Sequence, residues 1–182
     1  MKLHNAAQPN ALVECPFSIR RLASCDVRAL ATLWAEMQHH YGKPVTEAAA
    51  THAATLACEA QRGEGFEPRI LVAHAVDGSI AGSIVLNVSF PANELSLSLY
   101  IRDLYVAAAM RRLGVARAML RAAAALALSQ GFSALDWTAE AGNLDARKLY
   151  SGEGARLLPR VYYRLDTVDM QHLVEACNAD AM

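Results

Sequence analysis

Two apolar, strand-like runs, RILVAHAV and SIAGSIVLNVSF, flank an Asp-Gly pair at Asp77 and Gly78. An Asp-Gly pair between two such runs is a strong signal for a β-hairpin, because glycine readily adopts the positive φ that a tight hairpin turn requires. It is the strongest short hairpin signal in the chain. The middle of the chain is therefore predicted to form two antiparallel strands joined by a short turn.

Patterns on the N-terminal side of this hairpin predict one strand and two helices. FSIRRL alternates between apolar and polar residues, as a strand does. The helix that follows it carries five apolar residues on one face: Val27, Leu30, Leu33, Trp34 and Met37. A second, alanine-rich helix is predicted from about Thr46 to Gln61.

Patterns on the C-terminal side alternate between strands and helices. ELSLSLYIRDLYV is predicted to be a long strand with Leu95, Leu97, Leu99 and Ile101 on one face. A helix from Gly114 to Gln130, the strand FSALDWTA, the short helix NLDARKLYSGEG and a last strand RVYYRLD follow. The order β-α-α-β-β-β-α-β-α-β predicts an α/β fold with a mixed sheet.

Length, composition and charge limit the class of protein. The chain has 182 residues, 54% of them apolar, so one packed domain over residues 1–182 is expected, with a frayed tail at 1–12 and a C-terminal helix or tail at 167–182. A formal net charge of −1 argues against nucleic acid as a partner. No apolar run is long enough to span a membrane, and the N-terminus lacks the pattern of a signal peptide, so a cytoplasmic protein is expected.

The metal-ligating residue types are scattered. The four cysteines form no Cys-x-x-Cys pair, and the six histidines show no spacing typical of a zinc site. No metal is therefore expected, and the cysteines are interpreted as small buried or partly exposed residues.

The start of the Gly114 helix, RRLGVARAML, combines two arginines with a glycine. A helix N-terminus exposes unpaired N–H groups and a partial positive charge, which favours an anion. Five arginines and a single acid lie between Arg102 and Arg121. This excess suits a multiply phosphorylated ligand, although an ordinary amphipathic helix explains the stretch equally well when it is taken alone.

Two familiar phosphate-binding loops do not match, since the P-loop lysine and the three glycines of the dinucleotide fingerprint are missing. Arg111, Gly114 and Ala116 instead resemble the Gln/Arg-x-x-Gly-x-Gly/Ala motif of the GNAT acyltransferase superfamily. Farther along, LDWTAEAGNLDARKLYSGEGA places Asn143, Ala146 and Tyr150 at the spacing of that family. The resemblance covers about residues 69–166.

This resemblance implies the GNAT fold, a mixed and mostly antiparallel central sheet with splayed strands flanked by helices. It also implies acetyl-CoA as the acetyl donor and a bulge in the strand that ends at Val106. The residues implied to hold acetyl-CoA are Leu104, Tyr105, Val106, Arg111, Arg112, Leu113, Gly114, Val115, Ala116, Arg117, Asn143 and Ala146. Asn143 also suits the N-cap of the helix that follows, and this role is compatible with binding acetyl-CoA.

More narrowly, DLYV, WTAEAGNLDARKLY and YYRLD resemble the branch that acetylates polyamines, thialysine and similar small amines. Tyr150 is implied to protonate the departing thiolate, because a tyrosine phenol keeps its proton at neutral pH; core packing is the alternative. The polyamine enzymes carry a Glu where this chain has Arg102, and an arginine cannot act as a base. The neighbouring Asp103 is the candidate base, although it suits a surface or ion-paired carboxylate as well. Glu140, Glu94 or a water chain to the solvent are the alternative bases.

The acceptor is expected to bind near the first two helices and the later aromatic residues. The candidate acceptor-binding residues are His40, Tyr41, Trp137, Glu140 and Tyr162. Acidic residues nearby favour a cationic amine by electrostatic steering. The alternative is that the polar residues form a solvated helix face and that the aromatic residues pack in the core.

The sequence therefore predicts an acetyl-CoA-dependent N-acetyltransferase that acts by direct transfer on a primary amine of a small molecule. Acetylation of a protein or peptide and a catalytically silent acyl-CoA-binding module are the alternatives. The apolar tail TVDMQHLVEACNADAM suits either a homodimer interface or packing on its own core.

Overall fold

A computed structural model describes residues 17–61, 65–92 and 95–179; the predicted frayed tail at 1–12 lies outside this range. The strands are β1 (Ser18–Arg21), β2 (Arg69–His74), β3 (Ile80–Ser89), β4 (Ser98–Val106) and β5 (Leu135–Trp137). The helices are α1 (Val27–His40), α2 (Glu47–Glu59), α3 (Val115–Ser129), α4 (Leu144–Gly152) and α5 (Thr167–Ala179). No helix among the described residues is both long and apolar enough to cross a membrane.

The strands form one sheet in the order β1-β2-β3-β4-β5. Neighbouring strands from β1 to β4 are antiparallel, whereas β4 and β5 run parallel. The parallel connection needs a crossover, and α3 provides it. The predicted mixed, mostly antiparallel sheet flanked by helices is confirmed.

The hairpin predicted at Asp77 and Gly78 joins β2 to β3. Gly78 has a φ of +82°. The Asp77 side chain accepts hydrogen bonds from the backbone N–H and the hydroxyl of Ser79, at 2.9 and 2.6 Å. Glycine geometry and an Asx turn therefore close the hairpin as the sequence predicts.

Helices cover both faces of the sheet. Trp34 of α1 donates a hydrogen bond from Nε1 to Oγ of Ser83 on β3, at 3.0 Å. The adjacent Gly82 faces α3, because a Cβ there would lie 3.1 Å from Sδ of Met119 and 2.8 Å from the carbonyl oxygen of Tyr105. Since successive strand residues point to opposite faces, α1 lies on one face and α3 on the other. Glycine fits here because a Cβ would collide with the Tyr105 carbonyl oxygen and crowd the side chains of α3.

The long strand predicted after the hairpin begins later than expected. β4 starts at Ser98, so Leu95 and Leu97 do not belong to its buried face. Leu95 has a φ of +59° and is 77% exposed. A positive φ is incompatible with an extended strand, so the apolar alternation there does not reflect a strand.

The described chain divides into two compact units, one up to Asn143 and one from Leu144 onwards. The second unit contains α4 and α5. The last strand predicted over Arg160–Asp166 is not formed in this unit, where residues 155–166 have no regular structure. Val161 and Tyr163 are largely exposed there. Alternation favours a strand only when a neighbouring strand supplies ladder hydrogen bonds and a surface to cover.

Candidate active site

The central strand β4 contains a β-bulge at Arg102. Asp103 pairs with Val85 of β3, whereas Ile101 pairs with the next residue of β3, Leu86. Arg102 is therefore an extra residue without a partner on β3. A bulge of this kind bends the strand and changes the direction of the side chains that follow it.

The bulge brings Asp103 to the face of the sheet that α1 covers. Val85, the partner of Asp103, packs against the hydrophobic core beneath α1 and α2. Ser83, the partner of Tyr105, binds Trp34 of α1. Residues that pair across antiparallel strands share a face. Asp103 and Tyr105 therefore both point toward α1.

Asp103 is a partly buried carboxylate with a raised pKa. Burial removes water from the carboxylate and raises its pKa, while the charge of Arg102 and the backbone N–H of Leu104 lower it to a smaller extent. Burial raises the pKa of the Tyr41 hydroxyl as well, and the negative charge of Asp103 adds to that effect. The Asp103 carboxylate therefore lies close enough to the Tyr41 hydroxyl to affect its ionisation.

The His40 ring contacts two tyrosine rings. The His40 ring is 5.5 Å from the Tyr41 ring and 6.1 Å from the Tyr105 ring, centroid to centroid. His40 ends α1 and Tyr41 follows it, so the helix end presents both rings to β4. Of the candidate acceptor-binding residues, Tyr41 thus lies near Asp103, and His40 contacts Tyr41. Carboxylate and aromatic faces are the groups that bind an ammonium ion.

The far end of β4 has an edge that β5 does not cover. The pairing of β4 with β5 involves three residue pairs and ends at Ile101 and Trp137. The Val106 carbonyl accepts a hydrogen bond from Nε of Arg111 at 3.3 Å, while the N–H of Ala107 donates to the carbonyl of Ala81 on β3. The N–H of Val106 therefore points away from β3, toward the uncovered edge. This is the strand splaying that the sequence resemblance implied.

The turn before α3 is built around residues with positive φ. Gly114 precedes the helix with a φ of +86°, and Arg112 has a φ of +66°. A Cβ on Gly114 would meet nothing within 4 Å, so open space adjoins the turn. The first α-helical hydrogen bond runs from the N–H of Ala118 to the carbonyl of Gly114, which leaves Val115 and Ala116 without an intrahelical acceptor.

This turn fits an anionic phosphate group. Open space, helix N-terminal amides and the exposed side chains of Arg112 and Arg117 lie together there, and Leu113 is exposed beside them. The Arg111 side chain contacts the end of β4. Its guanidinium binds the Val106 carbonyl and, at 3.3 Å, the Tyr105 hydroxyl.

A second loop follows β5. Trp137 is the last residue of β5, and the Tyr100 hydroxyl of β4 lies 2.9 Å from Oγ1 of Thr138. Glu140 is exposed, and its carbonyl accepts a hydrogen bond from the N–H of Asn143 at 3.0 Å. Asn143 directly precedes α4, at the position of an N-cap.

Three site residues belong to the second unit. Ala146 and Tyr150 lie on α4, both partly buried, and Tyr162 lies in the irregular segment before α5. Their assignment to the site remains a prediction, and Glu94 lies outside the described residues.

Sequence reasoning missed Glu36. This residue of α1 binds both the Tyr105 hydroxyl and the loop after β4. No sequence motif marks it, because its partners lie 69 and 72 residues away. Among the described residues, no group of His, Cys, Asp and Glu side chains could hold a metal ion.

A bulged central strand with an uncovered edge, followed by a glycine turn that opens a helix among arginines, is the arrangement that the resemblance to the CoA-dependent GNAT acyltransferases implied. The sequence profile of the acetyltransferase (GNAT) family matches residues 33–154, and the chain belongs to that family. It is an acetyltransferase, and its donor is acetyl-CoA. No curated protein matches the chain in sequence.

Several solved structures share the fold. An integron cassette protein from the mobile metagenome of V. cholerae is 26% identical, with a TM-score of 0.74 over 88% of this chain and 98% of that chain. Ribosomal-protein-alanine N-acetyltransferase from Brucella melitensis biovar Abortus 2308 is 21% identical, with a TM-score of 0.65 over 82% and 98%. AAC(6')-Iy, solved with the bisubstrate analogue CoA-S-monomethyl-acetylneamine, is 15% identical, with a TM-score of 0.66 over 82% and 97%.

Proposed function

We propose that this acetyltransferase acetylates a primary amine of a small, cationic molecule. The observation that carries the proposal is the partly buried Asp103 carboxylate, which the bulge at Arg102 turns toward α1 and whose charge acts on the Tyr41 hydroxyl. A carboxylate with an aromatic ring nearby attracts an ammonium group. The resemblance to the polyamine and thialysine branch supports the same class of acceptor.

Asp103 acts as the base in this proposal. An alkylammonium must lose a proton before its nitrogen can attack a thioester, and the carboxylate oxygens of Asp103 accept that proton. Partial burial raises the pKa of Asp103, which makes it a better proton acceptor than an ordinary aspartate. Arg102 lies at the position where the polyamine enzymes carry a glutamate. Asp103 takes the role of that glutamate in this proposal, because the bulge moves Asp103 to the α1 face.

The chain's other groups bind and orient the donor. Acetyl-CoA supplies the activated acetyl thioester. Backbone groups of Leu104 to Val106 face the acetyl and pantetheine portion along the uncovered edge of β4, and the turn at Arg111 to Arg117 holds the pyrophosphate. Asn143 and Ala146 flank the cofactor arm. The phenolic O–H of Tyr150 donates a proton to the leaving sulfur.

The acceptor side is less completely assigned. His40, Tyr41, Trp137 and Glu140 bind the acceptor in this proposal, and Tyr162 remains a candidate from the sequence. AAC(6')-Iy, whose fold is similar, binds an analogue that joins CoA to a small-molecule acceptor, which supports a small-molecule acceptor here. A cytoplasmic location and a homodimer remain predictions from the sequence.

The test is release of free CoA with a panel of acceptors, with the products identified by mass spectrometry. The panel contains diamines, polyamines, lysine-like amino acids and peptides with free N-termini. We expect turnover with the cationic small amines and a loss of about 100-fold in kcat/KM in Asp103→Asn. Asp77→Asn is the matched control, because the hairpin turn accepts Asn equally well.

Each other outcome would point elsewhere. Turnover with peptides alone would favour protein acetylation. CoA binding without turnover of any acceptor would favour a silent acyl-CoA-binding module. Full activity of Asp103→Asn would show that another group, or water, removes the proton.

A further inference from the structure

The carboxylate of Glu36 connects α1 to the loop after β4. Oε1 of Glu36 accepts a hydrogen bond from the N–H of Ala108 at 2.7 Å and another from the Tyr105 hydroxyl at 2.9 Å. The side chain is exposed, yet both of its partners belong to the segment that leads from the central strand to α3. Hydrogen bonds to an ionised acceptor are stronger than neutral ones.

The N–H of Ala108 opens a short 3-10 turn, Ala108–Met110. The preceding residue, Ala107, has no side chain that could cap this turn. Glu36 satisfies the exposed N–H from another helix, while the N–H of Ala107 binds the carbonyl of Ala81 on β3. The beginning of the loop is therefore fixed at two consecutive amides, one held by the sheet and one by α1.

Arg111 completes the network from the other end of the loop. Its guanidinium donates to the Tyr105 hydroxyl and to the Val106 carbonyl, and it lies over the Tyr105 ring, 5.5 Å from the centroid. The Tyr105 hydroxyl thus receives a hydrogen bond from Arg111 and donates one to Glu36. Opposite charges on α1 and on the loop meet at one hydroxyl group. The next residue, Arg112, already has the positive φ of the phosphate-binding turn.

We infer that Glu36 is a positioning residue that holds the segment from Ala107 to Gly114 in the conformation that receives the pyrophosphate of CoA. This inference rests on the proposed location of the donor. Glu36 lies one helical turn before His40, which carries the acceptor side of the site. The same carboxylate therefore fixes the donor loop relative to the helix end that binds the amine.

The test compares CoA binding by calorimetry and steady-state kinetics in three variants. In Glu36→Ala we expect CoA affinity to fall about tenfold and KM for acetyl-CoA to rise by a similar factor, as the loss of hydrogen bonds to a charged group predicts. Glu36→Gln should restore most of the affinity, because its amide oxygen accepts the Ala108 N–H. Ser83→Ala is the matched control. It removes a different hydrogen bond between α1 and the sheet, the one that Trp34 donates to Ser83, and the Ser83 side chain does not bind the loop.

Wild-type CoA affinity in Glu36→Ala would overturn the inference while leaving the proposed function intact. Equal losses in Glu36→Ala and Ser83→Ala would also overturn it, since they would show a general effect of loosening α1. The donor location itself would be overturned if the wild type acetylates amines but neither Glu36→Ala nor Gly114→Asp changes the affinity for CoA.

Discussion

Asp103 combines a functional gain with a cost in stability. Its pKa in the folded protein is raised above the unfolded value, chiefly by burial. A raised carboxyl pKa contributes stability that is present below the unfolded pKa and is lost as the pH rises through the folded pKa. At neutral pH the ionised side chain therefore destabilises the fold, by about 1.4 kcal/mol for each unit of pKa increase.

Asp103→Asn is accordingly expected to be more stable than the wild type at pH 7 and equally stable near pH 3. Chemical denaturation at both pH values measures the two free energies of unfolding. A variant that is less stable than the wild type at pH 7 would mean that the ionised carboxylate has a stabilising partner. Together with the loss of activity expected above, greater stability would identify Asp103 as a residue kept for function.

The face on which Asp103 lies could not be predicted from the sequence. Plain alternation from Ile101 would place Asp103 on the α3 face. The family resemblance implied a bulge in this strand but not its position, which the register with β3 gives: Val85 and Leu86 pair on either side of Arg102. Glu36 was missed for a related reason, because its contacts form only once α1 packs on the sheet.

At the level of elements, the bulge can be removed without moving any side chain of β4 to the opposite face of the sheet. Deletion of Arg102 would leave Asp103 opposite Val85 and Ile101 opposite Leu86 in a regular ladder. The strand would straighten, and the backbone around Val106 would shift relative to the uncovered edge. Misplacement of about 1 Å in a reactive geometry commonly costs 100-fold in rate.

We expect the Arg102 deletion to fold and to lose about 10- to 100-fold in kcat/KM. Arg102→Ala keeps the extra residue and should lose less than about threefold, which separates the backbone from the side chain. Circular dichroism and steady-state kinetics provide the measurements. Wild-type kinetics in the deletion variant would show that the bulge has no part in catalysis.

Elements with a strong period were predictable, and elements that depend on a distant partner were not. The apolar faces of α1 and α3 and the Asp77–Gly78 hairpin were confirmed, because each follows from local spacing or turn chemistry. The strand expected over Arg160–Asp166 was wrong, although its alternation is as clear as that of β1. Alternation of apolar and polar residues shows that a segment could form a strand. Whether it does so depends on a neighbouring strand being available in the folded sheet.

At the scale of the molecule, the first unit has an ion pair at its sheet edge, in which the carboxylate is buried and the guanidinium is partly exposed. Asp26 is 4% exposed, and Arg20 of β1 holds it through two hydrogen bonds of 2.7 Å. Burial alone would raise the pKa of Asp26, but the guanidinium, the Ala23 N–H and the nearby His74 together lower it. A lowered carboxyl pKa contributes stability above the unfolded pKa, and this stability is lost as the pH falls through the folded pKa.

Asp26→Asn is therefore expected to destabilise the protein by about 1–3 kcal/mol at pH 7, a range reduced for the partial exposure of Arg20. The difference from the wild type should shrink as the pH falls below about 4, where the Asp26 carboxyl of the unfolded chain begins to take up protons while that of the folded protein stays ionised. Urea denaturation at several pH values gives both curves. A difference that is constant with pH would contradict a role for the carboxylate charge.

Calorimetric titration of CoA into the wild type and two Gly114 variants tests the location of the donor most directly. Asn and Asp both tolerate the positive φ at Gly114, and their side chains would enter open space. Only Asp adds a negative charge beside the helix N-terminus, where it also favours the helix. We expect Gly114→Asn to bind CoA within about threefold of the wild type and Gly114→Asp to bind at least about tenfold more weakly. Equal affinity in all three proteins would contradict a pyrophosphate site at the start of α3.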